Sequence, residues 1–178
     1  MKKALFLDRD GIINVDHGYV YKIEEFEFMP NIFELCKLAI KNNYLIIIIT
    51  NQSGIGRGKY SELDFKRLTK WMNKQFSTKG IQITDVFYCP HHPKKGIGVY
   101  LKNCNCRKPA PGLIQQAVKK YQIDVNQSIF IGDKITDIQA AESAGIKNKV
   151  LFSNMAHENN LIEFIYVSNL KKINPLFV

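Results

Sequence analysis

Long apolar runs are missing from this chain. The longest, YLIIII at 44–49, falls far short of the roughly 20 residues a membrane-spanning helix needs. No leader is expected either. The opening MKKALFLDRDG carries two lysines, but charge interrupts its apolar run after four residues, so the sequence predicts a cytoplasmic protein without membrane attachment. Internal repeats, low-complexity stretches and blocks of five or more like charges are also absent. Acidic residues are scarce, at 16 against 25 Lys plus Arg, for a formal charge of +9. Such a balance fits an anionic partner (nucleic acid, a membrane surface or a phosphorylated small molecule) or simply a solvated basic surface. Cysteine is limited to four, three of them within 89–109. In a reducing compartment a cluster of this kind points to metal rather than to disulfides. With 46% hydrophobic residues in 178, the chain can build the core of one domain, 1–178, without covalent staples.

The apolar residues that are present alternate between two periods. Short continuous runs at 4–7, 44–49, 86–89, 128–131, 149–152 and 164–167 read as strands buried on both faces of a parallel sheet. Between them lie helical stripes. Pro30 can open a helix with Ile32, Leu35, Cys36 and Ala39 on one face. Ser61 and Asp64 form a capping-box pair ahead of Phe65, Leu68, Met72 and Phe76. Pro111 precedes a stripe of Leu113, Ala117 and Tyr121, and a helix bearing Ile138 and Ala141 ends at Gly145. Trp71 and Cys36 belong to these core faces. The pattern predicts an α/β three-layer sandwich with a mostly parallel sheet and right-handed crossovers. Residues 153–178 carry no motif and are expected to finish the sheet and cover its edge.

The chemistry-bearing residues follow the strands directly. Asp8 and Asp10 follow the first, Thr50, Asn51 and Ser53 the second, Cys89 and His91 the third, and Asp133 the fourth. Parallel strands bring these together at their carboxyl ends, where open α/β sheets bind ligands. The paired carboxylates of FLDRDG suit a hard cation, or a nucleophile and a general acid/base. TNQSGIGRG at 50–58 offers hydroxyl, amide and backbone donors to phosphate but lacks the Lys-Ser/Thr ending of a P-loop. Asp133 of GDKITD fits a metal ligand, and Asp137 fits an orienting group or a helix-start acid. Arg107 and Lys108 supply cations for a phosphoryl group. Cys89, His91, Cys104 and Cys106, spaced C-x-H-x12-C-x-C, suit tetrahedral zinc, with His92 the rival of His91. His17 and His157 are not metal candidates.

As a set, FLDRDG, Thr50, Lys108 and GDKITD in this order resemble the haloacid dehalogenase superfamily of phosphatases, over residues 4 to about 145. One departure is Ile12, where many members carry Thr. DRDGIINVDHGYV, TNQSGIGRGKY, YCPHHP, CNCRKPAPG and GDKITDIQAA resemble more closely the D-glycero-D-manno-heptose 1,7-bisphosphate phosphatase family. Histidinol-phosphate phosphatases share most of these motifs. The resemblance implies a Rossmann-like domain without a large cap and with a zinc-binding loop insertion at about 89–109. It implies Asp8 as nucleophile, Asp10 as general acid/base, and Thr50 and Lys108 as phosphoryl stabilisers. Mg2+ would be held by Asp8, the backbone carbonyl of Asp10 and Asp133. Asp16, His17, Gly18, Tyr19, Asn51, Gln52, Ser53, Arg107 and Lys134 match the substrate positions, with Arg107 suited to a phosphate that is not cleaved. The family pattern selects His91 for a closed, structural Zn2+ site. It also implies a monomer acting on a phosphorylated sugar in ADP-heptose biosynthesis for lipopolysaccharide or glycoprotein, with no nucleic-acid partner. The competing readings are a histidinol-phosphate phosphatase, a zinc-stabilised nucleic-acid-binding module and a catalytically dead scaffold.

Overall fold

A computed structural model describes residues 1–153 and 162–177; His157 lies outside them. Among the described residues six strands form one sheet: β1 (Lys3–Leu7), β2 (Tyr44–Asn51), β3 (Asp85–Cys89), β4 (Ile129–Gly132), β5 (Asn148–Phe152) and β6 (Ile165–Val167). Their order is β3-β2-β1-β4-β5-β6, and every pairing is parallel. The described residues also form five α-helices: α1 (Ile32–Lys41), the short α2 (Ser53–Gly56), α3 (Glu62–Thr78), α4 (Gly112–Tyr121) and α5 (Ile135–Ser143).

Side-chain alternation along the strands divides the core into two layers. Leu5, Leu7, Ile46 and Ile48 pack with Leu35 and Cys36 of α1 and Met72 and Phe76 of α3. Ala4, Phe6, Ile47 and Ile49 point the other way, onto Leu113 and Ala117 of α4 and Ala140 and Ala141 of α5. Both faces are covered, which is why the strands read as unbroken apolar runs. Burying each such Ile or Leu contributes about 1.5–3 kcal/mol, so the central strands anchor everything at their ends.

Local signals act as the sequence implied, with small shifts. Ser61 and Asp64 form the reciprocal box, Asp64 N to Ser61 Oγ at 3.1 Å and Ser61 N to Asp64 Oδ2 at 2.9 Å. Gly145 follows α5 with φ +82°, the left-handed geometry of a helix C′ residue. α1 opens at Ile32, two residues past Pro30. Trp71 stacks on Phe28 and meets Phe26 edge-on within the α1–α3 layer. Ile12 is fully buried. β6 completes the sheet, and Leu170, Ile173 and Phe177 seat the last turn in the core on the α1 side. The β1–β2 connection holds a loop with a 3-10 turn at Ile23–Glu25, followed by α1. Strand order reverses between β1 and β4, which places the crevice of an open α/β sheet at the carboxyl ends of these two strands.

Candidate active site

At that crevice Asp8 leaves β1, its N–H donating to Ile131 O of β4 at 3.0 Å. Asp8, Asp133 and Asp137 bring carboxylate oxygens within 4.8 Å of one another. Lys108 enters among them almost wholly buried, its Nζ 2.9 Å from Asp8 Oδ1 and 2.7 Å from Asp137 Oδ1. It also donates to Ile49 O at 2.8 Å. Burial pushes the Asp8 carboxyl up to about 6, against the pull of Lys108 and aided by Asp137 and Asp10. Burial, with the Asp8 charge next, pushes Asp133 up to about 7. For Lys108 burial acts downward, but Asp137 and Asp8 outweigh it and the ammonium is held above its ordinary range.

Two buried oxygens here, Asp8 Oδ1 and Asp133 Oδ1, have no aligned hydrogen-bond donor. Asp8 Oδ1 does meet the Lys108 ammonium at 2.9 Å, which leaves Asp133 Oδ1 as the oxygen of the pair that faces no donor. Carboxylate oxygens converging from two strand ends are the donor set of a hard divalent cation. Gly11 makes room for this, since at its φ of +90° a Cβ would lie 2.4 Å from Asp133 Oδ2. The Asp10 side chain is not part of this group. Its oxygens are taken by Arg9 (2.8 and 3.0 Å from Nη2), by Asn14 Nδ2 at 3.1 Å and by Gln52 Nε2 at 3.0 Å. Arg9, fully buried, also donates to Val20 O at 2.7 Å.

The raised carboxyls give a pH dependence of stability. Their folded values of about 6 and about 7 exceed the ordinary 3.8, so the folded state binds these protons more tightly than the unfolded chain. That contribution is present at low pH and is lost as pH climbs through about 6 to 7. In a chelator, the thermal midpoint of the wild type should therefore fall, relative to Asp133→Asn, between about pH 4 and 7 and level off above that. Excess Mg2+ should close the gap by binding the ionised form. Scanning calorimetry on the two proteins checks this, and parallel pH curves would contradict it.

Beside the carboxylates lies a cavity of about 360 Å3, within the usual range of small-molecule sites, about 300–1,000 Å3. The loop after β1 contributes Asp10, Asp16, Gly18 and Tyr19 to its wall, and the end of β2 contributes Asn51, Gln52 and Ser53. Arg107, Lys108 and Lys134 supply its cations. Lys134 bridges Asp16 at 3.2 Å and Asp133 at 3.6 Å. Thr50, almost wholly buried, adjoins the wall through Gln52, whose Nε2 donates to Thr50 Oγ1 at 2.8 Å. His17 is placed differently: its Nε2 faces Glu27 at 3.4 Å, half-exposed, and it does not line the cavity. Asn51 acts largely as a brace, exchanging two 3.1 Å hydrogen bonds with the backbone of Lys108. Tyr60, Gly54 and Thr136 line the cavity too, and Arg9, Asn14 and Tyr60 form the support that the motifs did not mark. The one signal for Arg9 was its position between the two aspartates.

The second cluster sits at the end of β3. Cys89, His91, Cys104 and Cys106 have ligand atoms within 4.8 Å of one another, and all three cysteines are free thiols. The sulfur separations are 2.9, 3.1 and 3.5 Å, and His91 Nδ1 stands 3.3 Å from Cys106 Sγ. A tetrahedron with metal–sulfur bonds of about 2.3 Å has edges near 3.8 Å, so a small outward adjustment would admit the ion. Burial lowers the His91 pKa, which favours the neutral, ligating imidazole. His92 faces away, its Nδ1 accepting from Lys94 N and Lys95 N. The loop that follows is stitched to β2 at both ends, by Gln52 N to Cys89 O at 2.8 Å and by the Asn51–Lys108 pair.

Comparison with known proteins gives concordant results. A HAD-hydrolase-like family model matches residues 105–158. The chain is 45% identical over 175 residues to the D-glycero-alpha-D-manno-heptose-1,7-bisphosphate 7-phosphatase of Campylobacter jejuni, covering 98% of this chain and 95% of that protein. It is 47% identical over 150 residues to the D-glycero-beta-D-manno-heptose-1,7-bisphosphate 7-phosphatase of Vibrio cholerae, covering 84% and 81%. Among solved structures, a HAD-like phosphatase from Mesorhizobium loti superposes with a TM-score of 0.90 at 29% identity, covering 99% of this chain and 84% of that one. The D,D-heptose 1,7-bisphosphate phosphatase of B. bronchiseptica, complexed with magnesium and phosphate, superposes at 0.80 with 24% identity, covering 97% and 96%.

Proposed function

Because this chain belongs to the D-glycero-D-manno-heptose-1,7-bisphosphate 7-phosphatase family of HAD-like hydrolases, we propose that Asp8 is the nucleophile that removes the C7 phosphate of that sugar. The enzyme is a phosphoric monoester hydrolase. The observation that carries the assignment is the buried Asp8–Lys108–Asp137 chain, with the donorless Oδ1 of Asp133 beside it.

An Asp8 oxygen attacks phosphorus, and the bond from phosphorus to the sugar oxygen breaks. The electron pair stays on the sugar oxygen, which takes a proton from Asp10, leaving an aspartyl-phosphate. Asp10 then takes a proton from water as that water attacks phosphorus, and phosphate departs from a restored Asp8 carboxylate. Lys108 and the Thr50 hydroxyl face the phosphoryl oxygens where charge accumulates, and losing one such donor typically costs about 100-fold or more in turnover. When bound by Asp8, Asp133 and the Asp10 carbonyl, Mg2+ supplies the charge neutralisation that lets a carboxylate approach a phosphoryl dianion. Arg107 and Lys134 suit the phosphate that is kept. In this reading Zn2+ occupies the closed Cys3His cluster as a structural ion.

The same reading makes the protein a cytoplasmic monomer on the route to ADP-heptose, with no nucleic-acid partner. Among the described residues no helix is long and apolar enough to cross a membrane. The key cations support a small anion instead of a polymer, because Lys108 is buried and Arg107 and Lys134 converge on one cavity. Phosphate release should require Mg2+ and show kcat/KM far higher on the α- or β-anomer of heptose 1,7-bisphosphate than on histidinol phosphate. A preference for histidinol phosphate would overturn the substrate assignment.

A further inference from the structure

Gln52 matched a substrate position, yet its amide is used up inside the protein. It is 1% exposed. Its Nε2 donates to Asp10 Oδ2 at 3.0 Å and to Thr50 Oγ1 at 2.8 Å, and its Oε1 accepts from the Tyr60 hydroxyl at 2.5 Å. The two hydrogens on that nitrogen serve the acid and the phosphoryl donor of the proposed reaction at once. Since Thr50 accepts from Gln52, its own hydroxyl hydrogen is left for the phosphoryl oxygen. Arg9 and Asn14 hold Asp10 Oδ1 from the other side, and Arg9 Nη2 also reaches Oδ2 at 3.0 Å, so Gln52 shares with Arg9 the setting of the carboxyl plane.

Tyr60 fixes this amide. Its ring lies flat against Tyr21, at 5.2 Å between centroids and 10° between planes. It also presses on Gly54 so closely that a Cβ there would come within 2.2 Å of the ring. Burial, partly offset by Arg9, keeps the phenol well above its ordinary pKa, so it remains a donor at neutral pH.

We propose that Tyr60 is a positioning residue for proton transfer: acting through Gln52, it orients the Asp10 carboxyl toward the leaving oxygen. This rests on the phosphatase reading, in which Asp10 protonates the sugar alkoxide. A sugar alkoxide is a poor leaving group and needs that proton, whereas p-nitrophenolate departs without it. The parameter kcat/KM covers events only up to departure of the alcohol, so it isolates this step from hydrolysis of the aspartyl-phosphate.

The test uses the Mg2+-loaded wild type, Tyr60→Phe, Gln52→Met and the double variant, each on heptose bisphosphate and on p-nitrophenyl phosphate. Tyr60→Phe deletes one oxygen and keeps the packing. It should lower kcat/KM on the sugar phosphate by about tenfold or more, a part of the roughly 10²–10⁴-fold that general acid catalysis supplies. On the aryl phosphate the loss should stay within about twofold, since no proton is needed there. Gln52→Met also frees the Thr50 hydroxyl, so it should lower kcat/KM on both substrates but more on the sugar phosphate, and the double variant should be no worse than Gln52→Met alone, because Tyr60 acts through it. Equal losses on both substrates, no loss on either, or losses that multiply in the double variant would overturn the proposal. A wild type that hydrolyses neither compound would remove the phosphatase reading itself, a different and separable failure.

Discussion

Asp8→Asn should abolish turnover, by on the order of 10⁴-fold or more, as expected when a nucleophile is lost. The same change should raise the thermal midpoint of the metal-free protein at neutral pH. The two effects share one cause. Asp8 is 5% exposed, and burial lifts its pKa to about 6 despite Lys108 at 2.9 Å, so ionising it costs more than the ion pair returns. An amide of the same size carries no charge to desolvate. Lys108 keeps Asp137 at 2.7 Å and Ile49 O at 2.8 Å, so the substitution strands no buried cation. Lys108→Met makes a useful contrast. It leaves two buried carboxylates without their cation, a type of loss that commonly costs about 3–5 kcal/mol. Steady-state phosphate release and differential scanning calorimetry check both halves. An Asp8→Asn protein that retains more than a per cent of activity, or that melts well below the wild type, would contradict the role given to Asp8.

The second large effect concerns the Cys3His cluster. Purified protein should hold one zinc ion, and Cys104→Ser should lose it. The expected destabilisation is about 3 kcal/mol or more, as for loss of a structural metal, or roughly 6–12 °C at about 2–4 °C per kcal/mol for a chain of this size. Activity should fall too, with KM rising, in spite of intact Asp8, Asp10 and Asp133. The path is short: Cys106 is followed directly by Arg107 and Lys108. The first lines the cavity and the second reaches the carboxylates. With the ion present, the loop is tied at Cys89 and again at Cys106. Without it, the far end keeps the Asn51 bonds to the Lys108 backbone, the buried contacts of Lys108 Nζ and the 3.2 Å bond from Arg107 Nη1 to His91 O, but loses its tie to Cys89 through the metal. Metal analysis, calorimetry and kinetics in excess Mg2+ separate this from loss of the catalytic cation. Zinc-free native protein, or a Cys104→Ser variant with unchanged midpoint and KM, would refute it.

Much of this molecule was legible from sequence because the relevant physics is local. Strand runs, helical stripes and the Ser61–Asp64 box depend on side chains a few residues apart, and each reappears in the fold. The gathering of Asp8, Thr50, Cys89 and Asp133 at one sheet edge followed from parallel pairing alone, since residues just past aligned strands must share an end. Tertiary structure decided which groups touch. Gln52 and Asp10 are 42 positions apart, and Asn51 and Lys108 are 57, so no short-range pattern reports their bonds. His91 and His92 are neighbours whose spacing cannot separate them, yet one faces three sulfurs and the other caps a turn. His17 matched a substrate position but pairs with Glu27. Composition and periodicity determined the layers and the edge where chemistry collects. The partner of each buried polar group was decided only when the chain closed, because a buried donor or acceptor must be satisfied by whatever the whole fold brings within about 3 Å.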